Sequence, residues 1–425
     1  MPDFGKALRA LKPARAEHTV NGLSPRLFSF AEQLQFLSRP VLRRDVLPPG
    51  EVHSNAFGSH YVIHRVYPQD YFHGKVLLNR FDRADIEILM KLMREKGSVP
   101  QRERIVFLDT ETTGVQGGTG ICAFLVGLGY FAIDGFHMVQ YFIRDFDEEP
   151  SMLFALAEHL QNFELAVTYN GMAFDIPLLE TRFTLARLES PFESMSQFDL
   201  LFTARRLWRS GHGSCRLVAL EREMISFLRG PDIAGAMIPR AYFDYLQHRP
   251  APVFRSVFTH NADDVISLGA LTVHACDRVI LEPAALDEPL DLYSLARVLQ
   301  NSSDWRRAIR LYGMALRGGL PEPARKRAIE TLAVAHRRAG DHERSMAMCV
   351  KLMSYPEFSI VGYEGAAIYH ERVTCDFEAA VRVLEEGLAR VENKRWRTML
   401  QSRWDRLQRI IRGRLPIREM GDKGS

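Results

Sequence analysis

Two acidic residues follow a short apolar segment in the middle of the chain. Residues 105–109 predict a strand, and Asp109 and Glu111 lie two positions apart, so their side chains share one face of that strand. Neighbouring carboxylates repel each other unless a cation lies between them. Hard oxygen ligands of this kind favour Mg²⁺ or Mn²⁺. The pair therefore predicts a divalent-metal site.

Further acidic residues occur in three later segments. Asp175 closes the run Asn-Gly-Met-Ala-Phe-Asp at a predicted strand-to-helix junction, where its side chain could instead cap the helix. His260 and Asp264 lie four positions apart and therefore share one face of a predicted helix. Taken singly, Asp199 is best explained as a capping or structural residue, and Asp263 as a solvated neighbour of Asp264.

Strands and helices alternate around these acids. Residues 58–78 are rich in aromatic and β-branched residues and predict strands. Further along, the sequence predicts strands over 122–133 and 137–144 joined by a tight Asp134-Gly135 turn, a helix over 150–162, a strand over 165–169 and a helix over 176–188. A hairpin followed by alternating elements predicts an α/β fold with a mixed sheet flanked by helices.

The strand pattern ends at about residue 289, and three similar segments follow. They align on Asp304, Asp341 and Asp376, at spacings of 37 and 35 residues, each between two predicted helices with small residues at helical spacing. One such helix pair cannot bury its apolar face alone, so stacked pairs are expected. The pattern resembles the tetratricopeptide repeat with irregular lengths, and a generic helical bundle is the alternative.

The order of the acidic segments carries a family resemblance. Asp-x-Glu, then Asn-x-x-x-Phe-Asp, then a His followed by an Asp resembles the DnaQ-like (DEDD) 3′→5′ exonuclease superfamily, which has an RNase H-like fold. Residues 107–131 are similar to the YprB-type branch of bacterial proteins, in which tetratricopeptide repeats follow the exonuclease domain. The resemblance covers residues 50–285, and the repeats extend it to about residue 390.

The resemblance implies roles for individual residues. Asp109, Glu111, Asp175 and Asp264 would hold two Mg²⁺ or Mn²⁺ ions that activate a water and stabilise the leaving 3′-oxygen. His260 would be the general base that orients or deprotonates this water. Only three residues separate His260 from Asp264. That spacing belongs to the Tyr-type members of the superfamily, so a structural role for His260, orienting Asp264, is the alternative.

The predicted function is a metal-dependent 3′→5′ exonuclease acting on the 3′ end of single-stranded DNA or RNA. One alternative is a weakly catalytic nucleic-acid-binding module whose repeats recruit a protein partner. Another is a metal-dependent endonuclease on the same fold. The predicted organisation is as follows: an irregular segment over 1–50, a β-rich lead-in over 51–100, the nuclease domain over 101–288, helical repeats over 289–390 and a basic C-terminal helix and tail over 391–425.

Composition narrows the class of protein. A chain of 425 residues with 46% hydrophobic and 25% charged residues is typical of a globular protein of two or three units. We expect no export signal, and the sequence has no apolar run of membrane-spanning length. Its five cysteines are widely separated, which disfavours a zinc site or a disulfide framework and predicts a cytoplasmic protein.

Basic residues concentrate in two places. Residues 390–425 hold eleven Lys or Arg against four Asp or Glu, a pattern typical either of phosphate-backbone binding or of a solvated helix face. The segment 205–209 combines three arginines with Trp208. It could hold a phosphate strand and stack a base, or it could form an amphipathic helix with a solvated face.

Overall fold

The computed structural model describes residues 47–93, 99–114, 120–249, 253–280, 288–301 and 304–413. The predicted irregular segment over 1–50 lies outside the described residues except for its last four positions. The end of the predicted basic tail, from residue 414, also lies outside them.

A seven-stranded mixed sheet forms the centre of the first part of the chain. Its seven strands are β1 Glu51–Asn55, β2 Gly58–Pro68, β5 Ile105–Thr112, β6 Ala123–Ala132, β7 Gly135–Phe142, β8 Leu165–Thr168 and β9 Ser196–Asp199. Two short strands, β3 Phe72–His73 and β4 Val76–Leu77, form a separate hairpin. The strand order is β1-β2-β7-β6-β5-β8-β9. β5 and β8 are parallel, as are β8 and β9, and the remaining neighbours are antiparallel. The β-rich lead-in thus contributes two strands to the main sheet.

Helices cover both faces of this sheet. They are α1 Arg83–Met93, α2 Glu149–Leu160, α3 Asp175–Ala186, α4 Leu200–Leu207, α5 Arg209–His212, α6 Leu217–Met224, α7 Ile238–Leu246 and α8 Phe254–Ile280. Side chains alternate between the two faces of a strand, and β5 shows this directly: Phe107 joins one buried apolar cluster and Leu108 the other. The predicted mixed sheet flanked by helices is confirmed.

Strand β5 carries the first two predicted site residues. It continues through Asp109 and Glu111 to Thr112, three residues beyond the predicted end, with a register shift after Glu111. Asp109 lies opposite Gly127 of β6. A Cβ atom at Gly127 would come within 2.4 Å of Oδ1 of Asn261 on α8. The glycine therefore lets α8 approach the sheet closely beside Asp109.

Every element described from residue 289 onward is a helix. These helices are α9 Pro289–Asn301, α10 Trp305–Arg317, α11 Ala324–Arg338, α12 His342–Met353, α13 Ile360–Arg372, α14 Phe377–Arg390 and α15 Lys394–Ile411. Asp304, Asp341 and Asp376 each accept a hydrogen bond from the backbone N–H three residues ahead. The three aligned aspartates therefore cap α10, α12 and α14 in the same way. The predicted helical C-terminal region is confirmed.

The apolar core does not stop at residue 288. The cluster that contains Phe107 and Trp208 continues through Leu292 and Tyr293 of α9 to Leu311 of α10. The first helices after the sheet therefore share its core, and the division at 288/289 remains a prediction. None of the described helices is both long and apolar enough to cross a membrane.

Candidate carboxylate site

Asp109 is fixed by a polar chain that runs from β7 through α8 to β5. Asn261 Nδ2 donates to Asp109 Oδ2 at 3.0 Å and to its main-chain oxygen at 3.2 Å. Gln140 Nε2 donates to Asn261 Oδ1 at 2.9 Å. Burial, followed by the charges of Asp264 and Asp175, raises the pKa of Asp109 well above its usual range. No role for Asn261 was predicted from the sequence.

Glu111 is the least satisfied of the acids. Its side chain is enclosed, with 8% of the residue exposed, and Oε1 has no hydrogen-bond partner within the described part of the chain. Burial and then the charge of Asp109 raise the pKa of Glu111 well above its usual range. A buried carboxylate oxygen without a partner is unfavourable unless a proton or a cation reaches it.

Asp175 joins the site from the start of α3. The residue that caps α3 is Phe174, and no side chain makes a capping hydrogen bond there. The Asp175 carboxylate instead accepts from the hydroxyl of Thr110 on β5. Burial raises the pKa of Asp175 to about 6. The capping explanation for Asp175 is therefore wrong, and its side chain is directed to the strand that carries Asp109 and Glu111.

His260 and Asp264 share one face of α8, as their spacing predicts. His260 Nε2 lies 3.6 Å from Asp264 Oδ2. His260 Nδ1 lies 2.9 Å from Oδ1 of Asp232, a residue that the sequence analysis missed. With its proton on Nδ1 the imidazole donates to Asp232, and Nη1 of Arg229 lies 3.3 Å from the same nitrogen. Although burial opposes it, the hydrogen bond from His260 lowers the pKa of Asp232.

A buried arginine lies among these acids. Arg229 is held in the irregular segment between α6 and α7 and donates to both oxygens of Glu221, at 2.6 and 2.7 Å. It also donates to Asp264 Oδ1 and lies 3.2 Å from Asp232 Oδ2. Its side chain is 5% exposed and that of Glu221 is 1% exposed. Arg229 was not predicted from the sequence, where the only local signal is the turn-like run Arg229-Gly230-Pro231-Asp232.

The four predicted carboxylates come from three elements and act on one another electrostatically. In the described part of the chain, no three His, Cys, Asp or Glu side chains are already arranged to hold a metal ion. The contacts give the reason, because Asn261 holds Asp109, Thr110 holds Asp175 and Arg229 holds Asp264. The unpartnered Glu111 oxygen, the neighbouring acids that raise the pKa of Asp109 and Glu111, and an all-oxygen donor set nevertheless fit a hard divalent cation.

Two neighbouring features of the sequence have structural explanations. Asp199 caps α4, accepting from the backbone N–H of Leu201 at 3.0 Å and of Asn170 at 2.8 Å, as expected for a capping residue. Trp208 is fully buried in the apolar core. Its ring therefore has no free face on which a nucleic-acid base could stack, which favours the structural interpretation of the 205–209 segment.

The first part of the chain is similar to known proteins. Residues 106–276 match the RNase_H_2 family model, of the RNase_H superfamily. The RNase H-like character predicted for the sheet domain is thus confirmed, and proteins of this kind generally use divalent metals. The chain is also 29% identical over 252 residues to the uncharacterized protein YprB of Bacillus subtilis (strain 168). That alignment covers 57% of this chain and 60% of the relative's length.

Proposed function

We propose that this chain is a 3′→5′ exonuclease that hydrolyses phosphodiester bonds of single-stranded DNA or RNA with divalent cations. The observation that carries the proposal is the group of four buried or nearly buried acids whose charges oppose one another, with one Glu111 oxygen left without a partner. Membership of residues 106–276 in the RNase_H superfamily supports nucleic-acid hydrolysis as the broader activity.

In this proposal Asp109, Glu111, Asp175 and Asp264 hold two Mg²⁺ or Mn²⁺ ions. Bound there, the ions would activate a water and neutralise charge on the leaving 3′-oxygen. Asp109 and Asp175 already have fixed orientations through Asn261 and Thr110. Asp264 has to exchange or share its bond to Arg229, because that guanidinium takes up one of its oxygens.

We propose that His260 is the general base. Asp232 orients the imidazole through Nδ1 and leaves Nε2 able to accept a proton from a water. Nε2 points toward Asp264, so a water activated there would lie beside a proposed metal ligand. Arg229 acts through its neighbours: it ties Asp264 and Asp232 to the buried Glu221 and so holds both ends of the His260 environment in place.

The helical region has a separate proposed role. We propose that α9 to α14 are three irregular tetratricopeptide-like repeats, since Asp304, Asp341 and Asp376 cap equivalent helices. A protein partner and a cytoplasmic location remain part of the proposal.

A nuclease assay tests the proposal against its two alternatives. Purified protein with Mn²⁺ is given 5′-labelled single strands of DNA and of RNA, each also with a blocked 3′ end, and a circular single strand. We expect progressive shortening from a free 3′ end, weaker action on blocked strands and an intact circle. Cleavage of the circle would identify an endonuclease. Binding of the strands without any cleavage would identify a binding module.

A further inference from the structure

Two adjoining cavities open on the helical region, away from the carboxylates. Their volumes are about 400 and 440 Å³, and both are lined by Leu316, Arg317 and Lys351. Helix α11 contacts both α10 and α12 and thus forms the floor between two walls. The two cavities are therefore parts of one open groove, which we call the α10–α12 groove.

The walls of the α10–α12 groove are basic. Arg310 and Arg317 line it from α10, and Arg344 and Lys351 line it from α12. Each pair is seven residues apart, or about 10.5 Å along the helix axis, and therefore lies on one face. Arg325 adds a fifth cation from α11. Basic side chains thus stand at matching intervals on both walls.

Most of this positive charge is not neutralised. Within the part of the chain that the structure describes, no acidic residue lines either cavity. Among the described ion pairs, only Arg344 of these five cations takes part, with Asp341 at 3.3 Å. Arg310, Arg317, Arg325 and Lys351 are exposed. The groove therefore presents at least four unneutralised cations to an incoming ligand.

The basic C-terminal helix differs in this respect. On α15, Arg403 lies 2.8 Å from Glu371 and 3.6 Å from Glu364, and Arg406 lies 2.5 Å from Glu371. Part of the positive charge counted there from sequence is therefore used to pack α15 against α13. Charge complementarity points to the groove rather than to this helix as the site for an anionic ligand.

We infer that the α10–α12 groove binds the phosphodiester backbone of the single strand whose 3′ end the carboxylate site degrades. The inference rests on the proposed function, which supplies a polyanion as the substrate. A single strand carries one negative charge per nucleotide and releases counterions when cations neutralise it. The half-buried side chains of Ile309, Leu316 and Met348, and the ring of Tyr355 at one end, offer contacts for sugars and bases.

Strand binding tests the inference. Fluorescence anisotropy measures the affinity for a 30-nucleotide and a 5-nucleotide strand in EDTA over a range of salt concentrations. The test variant is the full chain with Arg317→Glu and Lys351→Glu. The matched control is Arg338→Glu with Arg382→Glu, which makes the same charge change at two exposed residues that line neither cavity and join no described ion pair. Arg317→Gln with Lys351→Gln gives a milder version should the reversal disturb folding.

The groove reversal should weaken binding of the 30-nucleotide strand about tenfold near physiological salt and lower the slope of log K against log salt by about 1.4, or 0.7 for each lost contact. The control should stay within about twofold. Hydrolysis of the 5-nucleotide strand with Mn²⁺ should be unchanged in both variants, since that strand is too short to require the groove.

Parental affinity of the groove variants for the 30-nucleotide strand would overturn the inference. A second outcome would also overturn it. If the parent binds the 30-nucleotide strand no better than the 5-nucleotide strand, but binds poly-glutamate in a way that the groove variants weaken, the groove binds an acidic protein instead. The proposed function fails separately: groove-dependent strand binding with no hydrolysis of either strand would support the groove and contradict the exonuclease.

Discussion

The sheet domain and the helical region hold charge in opposite ways. Glu111 and Arg229 are almost completely enclosed, whereas Arg317 and Lys351 stand in solvent around an open groove. A buried charge is unfavourable unless a specific partner meets it, so each one constrains its neighbours strongly. Exposed charges interact weakly one by one and act through their number. The first arrangement suits chemistry on one phosphate, and the second suits retention of a long strand.

Removal of one buried acid should have the largest effect on activity. We expect Asp109→Ala to lower hydrolysis with Mn²⁺ by at least about 10³-fold, because it removes a proposed ligand of the ions that would stabilise transition-state charge. Initial rates on a 3′-labelled strand measure the effect, and circular dichroism checks the fold. Asp405→Ala, an exposed acid on α15, is the control. Near-parental turnover of the Asp109 variant would remove the metal assignment.

His260 should give the next largest effect. We expect His260→Ala to slow turnover by roughly 10²–10⁴, with little change in substrate affinity. Asp232→Asn should slow turnover less, about 10- to 100-fold, because it only loosens the orientation of the ring.

A Tyr at position 260 refines the same test. His260→Tyr should retain appreciable activity if the three-residue spacing to Asp264 gives the geometry of the Tyr-type members. Equal rates for the parent and the Ala variant would leave His260 a purely structural residue on α8.

The same substitution in the two regions compares them directly. Arg229→Gln leaves Glu221 and Asp264 without their cation and should lower the free energy of unfolding of the metal-free protein by about 3–5 kcal/mol. Arg317→Gln, at an exposed position, should change it by less than about 0.5 kcal/mol. Urea unfolding of both variants gives the two values. Similar values would mean that burial does not separate the regions.

The smallest expected effect is a pH dependence of stability. Burial raises the pKa of Asp175 to about 6 and, together with neighbouring acids, raises the pKa of Asp109 and Glu111 well above their usual range. In the unfolded chain these groups ionise near pH 4. Above that pH the unfolded state binds fewer protons than the folded state, so the free energy of unfolding falls as pH rises.

Thermal melts of the metal-free protein measure this dependence. We expect the melting temperature to fall by a few degrees between pH 5 and pH 8, and Mn²⁺ to raise it more at pH 8 than at pH 5. Glu111→Gln should make the fall shallower, because an amide has no proton to lose. If the melting temperature falls equally with pH in parent and variant, burial does not raise the pKa of Glu111 in solution.

The sequence predicted the helices and strands better than the side-chain contacts between distant residues of the site. The apolar run before Asp109, the Asp134-Gly135 turn and the three capping aspartates have local patterns, so strand β5, the β6–β7 hairpin and the helix pairs followed from them. Arg229 lies 35 residues before Asp264 in an irregular segment, where no periodicity links the two. The groove cations do show helical spacing, but exposed Arg and Lys at that spacing also describe any solvated helix face.

The proposed metal site is tested most directly by Mn²⁺ binding to the metal-free protein, measured by electron paramagnetic resonance. This measurement depends on neither substrate nor turnover. We expect two Mn²⁺ ions bound per chain in the parent, weaker and incomplete binding in Asp109→Asn, and parental binding in Asp405→Asn. A parent that binds no Mn²⁺ at millimolar concentration, or an Asp109 variant that binds it as the parent does, would contradict a cation site at these carboxylates.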